Sequence, residues 1–226
     1  MKNNLIPRVA LVFDDGYPTS SRRVASIFEE YNLQAVFAVL SQPELFNVRC
    51  SQEAGGGWPL YKELHDRGHI IHPHGSDHKN LATLEFSDAI ASINNCFEEF
   101  QKNNYTLSSS TFHYPYNSGT ASLNCYLLNH VKWIRVGATH NLIWNNQKNI
   151  DERVLFCTAY GPDFCDQHLL ELLESSIPDD GRLLIYNLHG IEGEGWGSIH
   201  EKALRKALEK IIASPILSYS TLQDLE

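Results

Sequence analysis

Short, continuous apolar runs separated by amphipathic segments set the strongest limit on how this 226-residue chain can fold. "RVALVF" (8–13) reads as a strand buried on both faces, and the segment "TSSRRVASIFEEYNL" that follows places Val24, Ile27, Phe28 and Tyr31 at helical spacing. The alternation recurs along the chain. "AVFAVL" (35–40), "HII", "STFHYP", "KWIRVGA", "ERVLFC" and "GRLLIYNLH" are further strand candidates. Between them fall a helix over 60–67 that ends at Gly68, one from near Ser87 carrying Ile90, Ile93, Phe97 and Phe100, and shorter ones over 123–130 and 167–173. A last helix, "IHEKALRKALEKIIA", aligns Leu204, Ala207, Leu208 and Ile211, and "ILSYSTL" follows it. Strands alternating with helices imply parallel pairing through right-handed crossovers. About seven such units predict an α/β fold, a distorted (β/α)7-type barrel of parallel strands with outer helices, a little short of the roughly 250 residues of an eightfold barrel.

No internal repeat or low-complexity linker divides the sequence, and 42% apolar with 20% charged residues suits one domain spanning 1–226. A formal net charge of −9 argues against a protein that grips nucleic acid or an anionic membrane by counterion release. The apolar run near the N-terminus is short, interrupted by Pro7 and ended by Asp14 and Asp15, so neither a secretory signal nor a membrane span is expected there. The five cysteines form no C-x-x-C pair, and reduced thiols in a cytoplasmic protein are the expectation.

In a β/α barrel the chemistry gathers after the strand C-termini. After the first strand come Asp14 and Asp15; after the third, "HPHGSDHKNL" with His72, His74 and His78; after "STF", His113 with Tyr114 and Tyr116; after "LLIYNL", His189. His74 and His78 are four apart, so both rings can point one way and, with a carboxylate, make a two-histidine, one-carboxylate site for zinc or another first-row divalent ion. Two adjacent acids at a strand end are costly to bury without a counter-charge, which a cation would supply. Because neighbouring side chains diverge, one can bind metal while the other acts as base. The alternative is that one aspartate caps the next helix, a task Thr19 or Ser20 can take instead. His189 is a candidate general acid. Tyr17, Trp58, Tyr114, Trp144 and Trp196 are candidates to stack on a ligand ring, core or rim packing being the alternative. "GIEGEGWGSI" after His189 reads as a mobile loop able to close over ligand, a passive surface loop being the alternative.

These residues resemble the polysaccharide deacetylase family, carbohydrate esterase family 4, from about Arg8 onward. "VFDDGYP" is similar to the family's first motif, which implies Asp14 as catalytic base and Asp15 as metal ligand. "GHIIHPHGSDHKNL" matches the second, implying His74 and His78 as ligands; "LH" matches the fifth, implying His189 as general acid, and His72 is expected to pack behind or support the two ligands. Trp58 sits where members commonly have tryptophan. The third motif departs: the family has arginine where "HYPY" has His113, and that arginine holds the base aspartate. The resemblance leaves His113 a weaker, titratable substitute, and keeps Tyr116, whose backbone N–H polarises the substrate carbonyl. The fourth motif is unrecognisable in "WIRVGATHNLIW", where His140 or Trp144 is the candidate wall, and Lys79 replaces a proline.

The expected activity is metal-dependent hydrolysis of an acetyl or similar small acyl amide on an amino sugar, small-molecule or oligosaccharide. One divalent ion, zinc first, is the expected cofactor. Asp14, His189 and Tyr116 are the expected catalytic set, with His113, Tyr114, Tyr17 and Trp58 facing substrate. Hydrolysis of a non-sugar amide or cyclic imide and non-catalytic sugar binding are the alternatives.

Overall fold

The apolar runs become buried strands and the amphipathic segments become helices laid over them. This computed structural model describes residues 6–138, 144–175, 177–178 and 180–225. In chain order the elements are β1 (Arg8–Asp14), α1 (Pro18–Glu30), β2 (Val36–Val39), α2 (Trp58–Asp66), β3 (Ile70–Pro73), α3 (Phe86–Lys102), β4 (Thr111–His113) and α4 (Ala121–Leu127). They continue as β5 (Trp133–Gly137), β6 (Trp144–Asn145), α5 (Gln147–Asp151), β7 (Val154–Cys157), α6 (Asp166–Leu172), β8 (Leu183–Leu188), α7 (Glu201–Ala213) and β9 (Ser218–Tyr219).

β1 is the central strand, parallel to β2 on one side and β8 on the other, with β3 parallel to β2. β4, β5 and β7 form a second parallel group. The two groups meet at two seams. At one, Thr158 bridges Tyr186, its N–H reaching Ile185 O at 3.0 Å and its carbonyl accepting from Asn187 N at 2.8 Å. At the other, β3 and β4 share no ladder; β3 ends in Pro73, which has no N–H to donate. Imidazoles bridge that gap, His72 to the His113 side chain and His74 to the His113 carbonyl. The result is the distorted (β/α)7-type barrel expected. The short β6 pairs antiparallel with β8, and β9 pairs with β1 at Arg8 and Val9, below the point where β2 begins.

Period-two alternation divides the apolar side chains into two bodies. Ala10, Val12, Val36, Ala38, Trp133 and Leu155 belong to the smaller one, enclosed by the strands. Phe13, Phe37, Val24, Phe28, Ile93 and Leu208 belong to the larger one between strands and helices. Continuing the inner period by two brings polar residues above the small body: Asp14 after Val12, Arg135 after Trp133, Asn187 after Ile185. The fold thus sets a polar layer on an apolar plug at the C-terminal end of the barrel. No helix among the described residues is long and apolar enough to cross a membrane.

α1 and α7 are tied on the surface by Arg23–Glu201 (2.6 Å) and Arg205–Glu30 (2.7 Å), with Arg205–Glu201 (2.9 Å) joining the two pairs within α7. Arg23 and Arg205 hold the Glu201 carboxyl down to about 2 from its ordinary 4.5. A depressed folded-state value contributes stability that is complete above pH 4.5 and lost as pH falls toward 2. Glu201→Gln is therefore expected to flatten the acid limb of a urea-midpoint-against-pH curve between pH 5 and 2. The change should stay within about 1 kcal/mol, because the pairs are solvent-screened, and shrink in 1 M salt.

Candidate active site

β1 ends by turning Asp14 and Asp15 to different tasks. Asp14 accepts two hydrogen bonds from the fully buried Arg135, from Nη1 to Oδ1 at 2.9 Å and Nη2 to Oδ2 at 2.6 Å. This planar, two-pronged pair neutralises both charges and fixes the carboxylate plane. Arg135 lies on β5 in register with His113 on β4. The arginine absent from position 113 is therefore supplied by the adjacent strand, at the same level of the barrel.

His113 itself is no substitute donor to Asp14. Burial, with Arg135 and His72 nearby, pushes its pKa well below the ordinary value, and its Nε2 pairs with His72 Nδ1 at 3.1 Å. His72 is likewise driven down to about 3, by burial first and Arg135 second. The two rings stack 5.3 Å apart as a neutral pair. His72 thus packs behind the site, as expected.

Asp15 turns outward with φ +73°, followed by Gly16 at +76°; a side chain on Gly16 would run into the Tyr61 ring. Asp15 Oδ1 lies 3.4 Å from His74 Nε2 and 3.3 Å from His78 Nε2. His74 donates Nδ1–H to the His113 carbonyl at 2.8 Å, which turns its Nε2 toward Asp15. His78 is held between Phe46 (4.4 Å) and Tyr116 (4.7 Å). Burial lowers the His78 pKa to about 4, so its lone pair is free at neutral pH. Burial alone would raise Asp15, but the imidazoles of His74, His189 and His78 outweigh it and hold the carboxyl at about 2. Asp15 Oδ1 and His74 Nε2 are buried with no hydrogen-bond partner. Two nitrogens and one oxygen converging within 4.8 Å of one another fit a first-row divalent ion.

A cavity of about 420 Å³ opens over these groups, walled by Tyr17, Phe46, Tyr116 and Trp196 and lined also by His189 and Asn187. Tyr116 and Asn117 both have left-handed backbones, φ +56° and +53°, and His78 has +57°. Non-glycine strain of this kind costs of order 1–3 kcal/mol per residue and concentrates at functional sites. Asn117 donates to Asn187 at 3.1 Å and accepts from the Cys157 thiol at 3.2 Å, tying the loop after β4 to β7 and β8.

Several expected contacts are corrected by their placement. Trp58 packs on Tyr61, Phe100 and Tyr105 and does not line the cavity. Tyr114 is buried with its hydroxyl on Asn124, and His113 lies beneath the floor. Trp144 belongs to β6, paired at Leu184 near the far end of β8. His140 lies outside the described residues. Of the expected substrate contacts Tyr17 and Trp196 reach the cavity, joined there by Tyr116 and by the unforeseen Phe46, Asn117 and Asn187. Lys79 and Asp77 pair with each other at 2.6 Å, as loop charges.

The loop after His189 is anchored, against the expectation of a mobile lid. Glu194 accepts from Ser20 N (2.9 Å) and Ser20 Oγ (2.5 Å), and Ser20 Oγ accepts from Ile191 N (3.0 Å). A carboxylate at the start of α1 also meets the positive end of its dipole, so neither Thr19 nor an aspartate caps that helix.

The family model described as "Polysaccharide deacetylase" matches residues 2–130. None of the curated proteins is similar enough in sequence to match. Among solved structures, the chain is similar to a family 4 carbohydrate esterase from Streptomyces lividans in complex with acetate (14% identity, TM-score 0.64, 97% of this chain and 95% of that one). It is also similar to the chitin deacetylase of the fungal pathogen Colletotrichum lindemuthianum (17%, 0.62, 97% and 88%). A third match is a mutant family-4 pseudoenzyme with restored activity (15%, 0.62, 99% and 69%). At these identities the likeness is one of fold.

Proposed function

The chain belongs to the polysaccharide deacetylase family, and from that premise we propose that it is a metal-dependent hydrolase removing an acetyl or similar small acyl group from an N-acylated amino sugar. The observation that supports this reading is the meeting, in one cavity, of Asp15, His74 and His78 with His189 and with Asp14, which Arg135 holds from behind.

Asp15, His74 and His78 would hold the ion, which when bound supplies Lewis acidity toward a carbonyl and acidifies water. Asp14, locked by Arg135, takes a proton from the attacking water. The Tyr116 backbone N–H stabilises the oxyanion that develops on the acyl carbonyl oxygen. His189 gives a proton to the departing nitrogen, so that an amine rather than an amide anion leaves. The aromatic walls exclude water from the reacting atoms and present apolar surface to a sugar ring.

The test is acetate release from N-acetylglucosamine and its short oligomers. Asp14→Asn and His189→Ala are each expected to lower kcat by about 10²–10⁴. Full activity in either variant contradicts the assignment.

A further inference from the structure

The two imidazoles that face Asp15 are held by different means. The Nδ1–H of His74 is spent on the His113 carbonyl at 2.8 Å, the kind of hydrogen bond that fixes the rotation and tautomer of a metal-binding histidine. His78 has no such bond, for its Nδ1 is buried and without a hydrogen-bond partner. When Nε2 of a neutral imidazole takes an ion, the proton must sit on Nδ1, so in His78 no acceptor sets the ring's rotation. The adjacent carboxylate, Asp77, pairs with Lys79 through Oδ2 at 2.6 Å, and its Oδ1 makes no bond to His78. The His78 backbone is also left-handed, with φ +57°, a conformation that persists only where the surroundings impose it.

Those surroundings are aromatic. The Phe46 ring lies 4.4 Å from the imidazole, inclined by 37°, and the Tyr116 ring 4.7 Å from it, inclined by 49°. The first comes from the loop after β2 and the second from the loop after β4. Phe46 is not free to drift. Its segment is hydrogen-bonded to the one that carries His78, Ser41 N donating to Gly75 O at 3.0 Å and Gln42 N to Ser76 O at 2.9 Å, and Phe46 N closes its own turn on Pro43 O at 3.0 Å. The neighbouring Leu45 is left in solvent while Phe46 turns inward to the cavity. One aromatic contact of this kind changes an equilibrium constant by about three- to tenfold.

We infer that Phe46 is a positioning residue for the ion: together with Tyr116 it holds the His78 ring by aromatic contact, in place of the hydrogen bond that fixes His74. The inference deepens the proposed metal site and rests on that reading, and its test measures ion binding apart from hydrolysis.

The experiment is the zinc affinity of chelator-treated protein, measured by competition with a chromophoric chelator, beside acetate release from N-acetylglucosamine oligomers by the zinc-loaded wild type. Phe46→Leu keeps an apolar side chain and removes the ring; it is expected to loosen zinc about three- to tenfold, and Phe46→Leu with Tyr116→Leu about ten- to a hundredfold. Phe46→Tyr and Tyr116→Phe keep the rings and should hold zinc as the wild type does. Asp77→Asn should also leave the affinity unmoved. Wild-type affinity in Phe46→Leu, equal loosening in Phe46→Tyr and Phe46→Leu, or a loss in Asp77→Asn as large as that in Phe46→Leu overturns the inference. A wild type that holds no zinc overturns it together with the metal-dependent reading. If the wild type holds zinc and releases no acetate, while Phe46→Leu loosens the ion and Phe46→Tyr does not, the hydrolase reading fails and the positioning role stands.

Discussion

Arg135→Met is expected to remove nearly all acetate release and to destabilise the chain by about 3–5 kcal/mol, because it leaves Asp14 buried without its counter-charge. The two losses have separate causes and can be separated. Adding Asp14→Asn removes the stranded charge, so the double variant should regain much of its urea midpoint while remaining about 10²–10⁴ below wild type in rate. Because Asp14→Asn by itself removes the base, the double variant isolates the stability loss, and a urea midpoint that stays low in it contradicts the stranded-charge explanation. A sharper version uses the register: His113 and Arg135 are direct neighbours across β4 and β5. Exchanging them, His113→Arg with Arg135→His, should recover a measurable part of the rate that Arg135→His alone destroys. If the exchange is no better than the single substitution, Asp14 is not held interchangeably from the two strands.

The reason the sequence hid this pair is geometric. Motif reading fixes the arginine to the strand that ends in "HYPY", and His113 is the wrong residue there. A guanidinium two residues beyond Trp133, on the same inward face of the next strand, reaches the same aspartate from about 5 Å away. One signal was present: an arginine inside an otherwise apolar, period-two run must find a carboxylate or a costly vacancy. Asp14, Asp15, His74, His78 and His189 were legible because parallel strands read as unbroken apolar runs, and the polar residue that ends each run marks the barrel mouth. Trp58 and Tyr114 were misplaced for the opposite reason. An aromatic ring beside a site motif carries no mark of which way it faces, and both turn into the helix layer against Phe100 and Phe112. The short β6 and α5 lay below any periodicity; the Asn146–Asn149 capping box that starts α5 is their clearest sequence trace.

Removing the imidazoles that face Asp15 carries the second large effect. His74→Ala with His78→Ala is expected to reduce tightly held divalent ion from about one per chain to none, and acetate release with it. In the wild type, an ion at a hundredfold excess over its Kd should add about 2.7 kcal/mol of stability, since the unfolded chain offers no assembled site. For a chain of this size that is a rise in Tm of about 5–10 °C. The double variant should show no rise. His72→Ala, which alters the neutral pair behind the site, should retain the ion, because His72 Nδ1 faces His113 and not Asp15.

The measurement closest to the central claim is a titration of zinc into chelator-treated protein, reading bound ion per chain and the rate of acetate release from the N-acetylglucosamine tetramer together. The account predicts no release from the stripped protein and a rate that climbs in proportion to occupancy, levelling at about one ion per chain. Stripped protein that holds no metal and works at the full rate would contradict it.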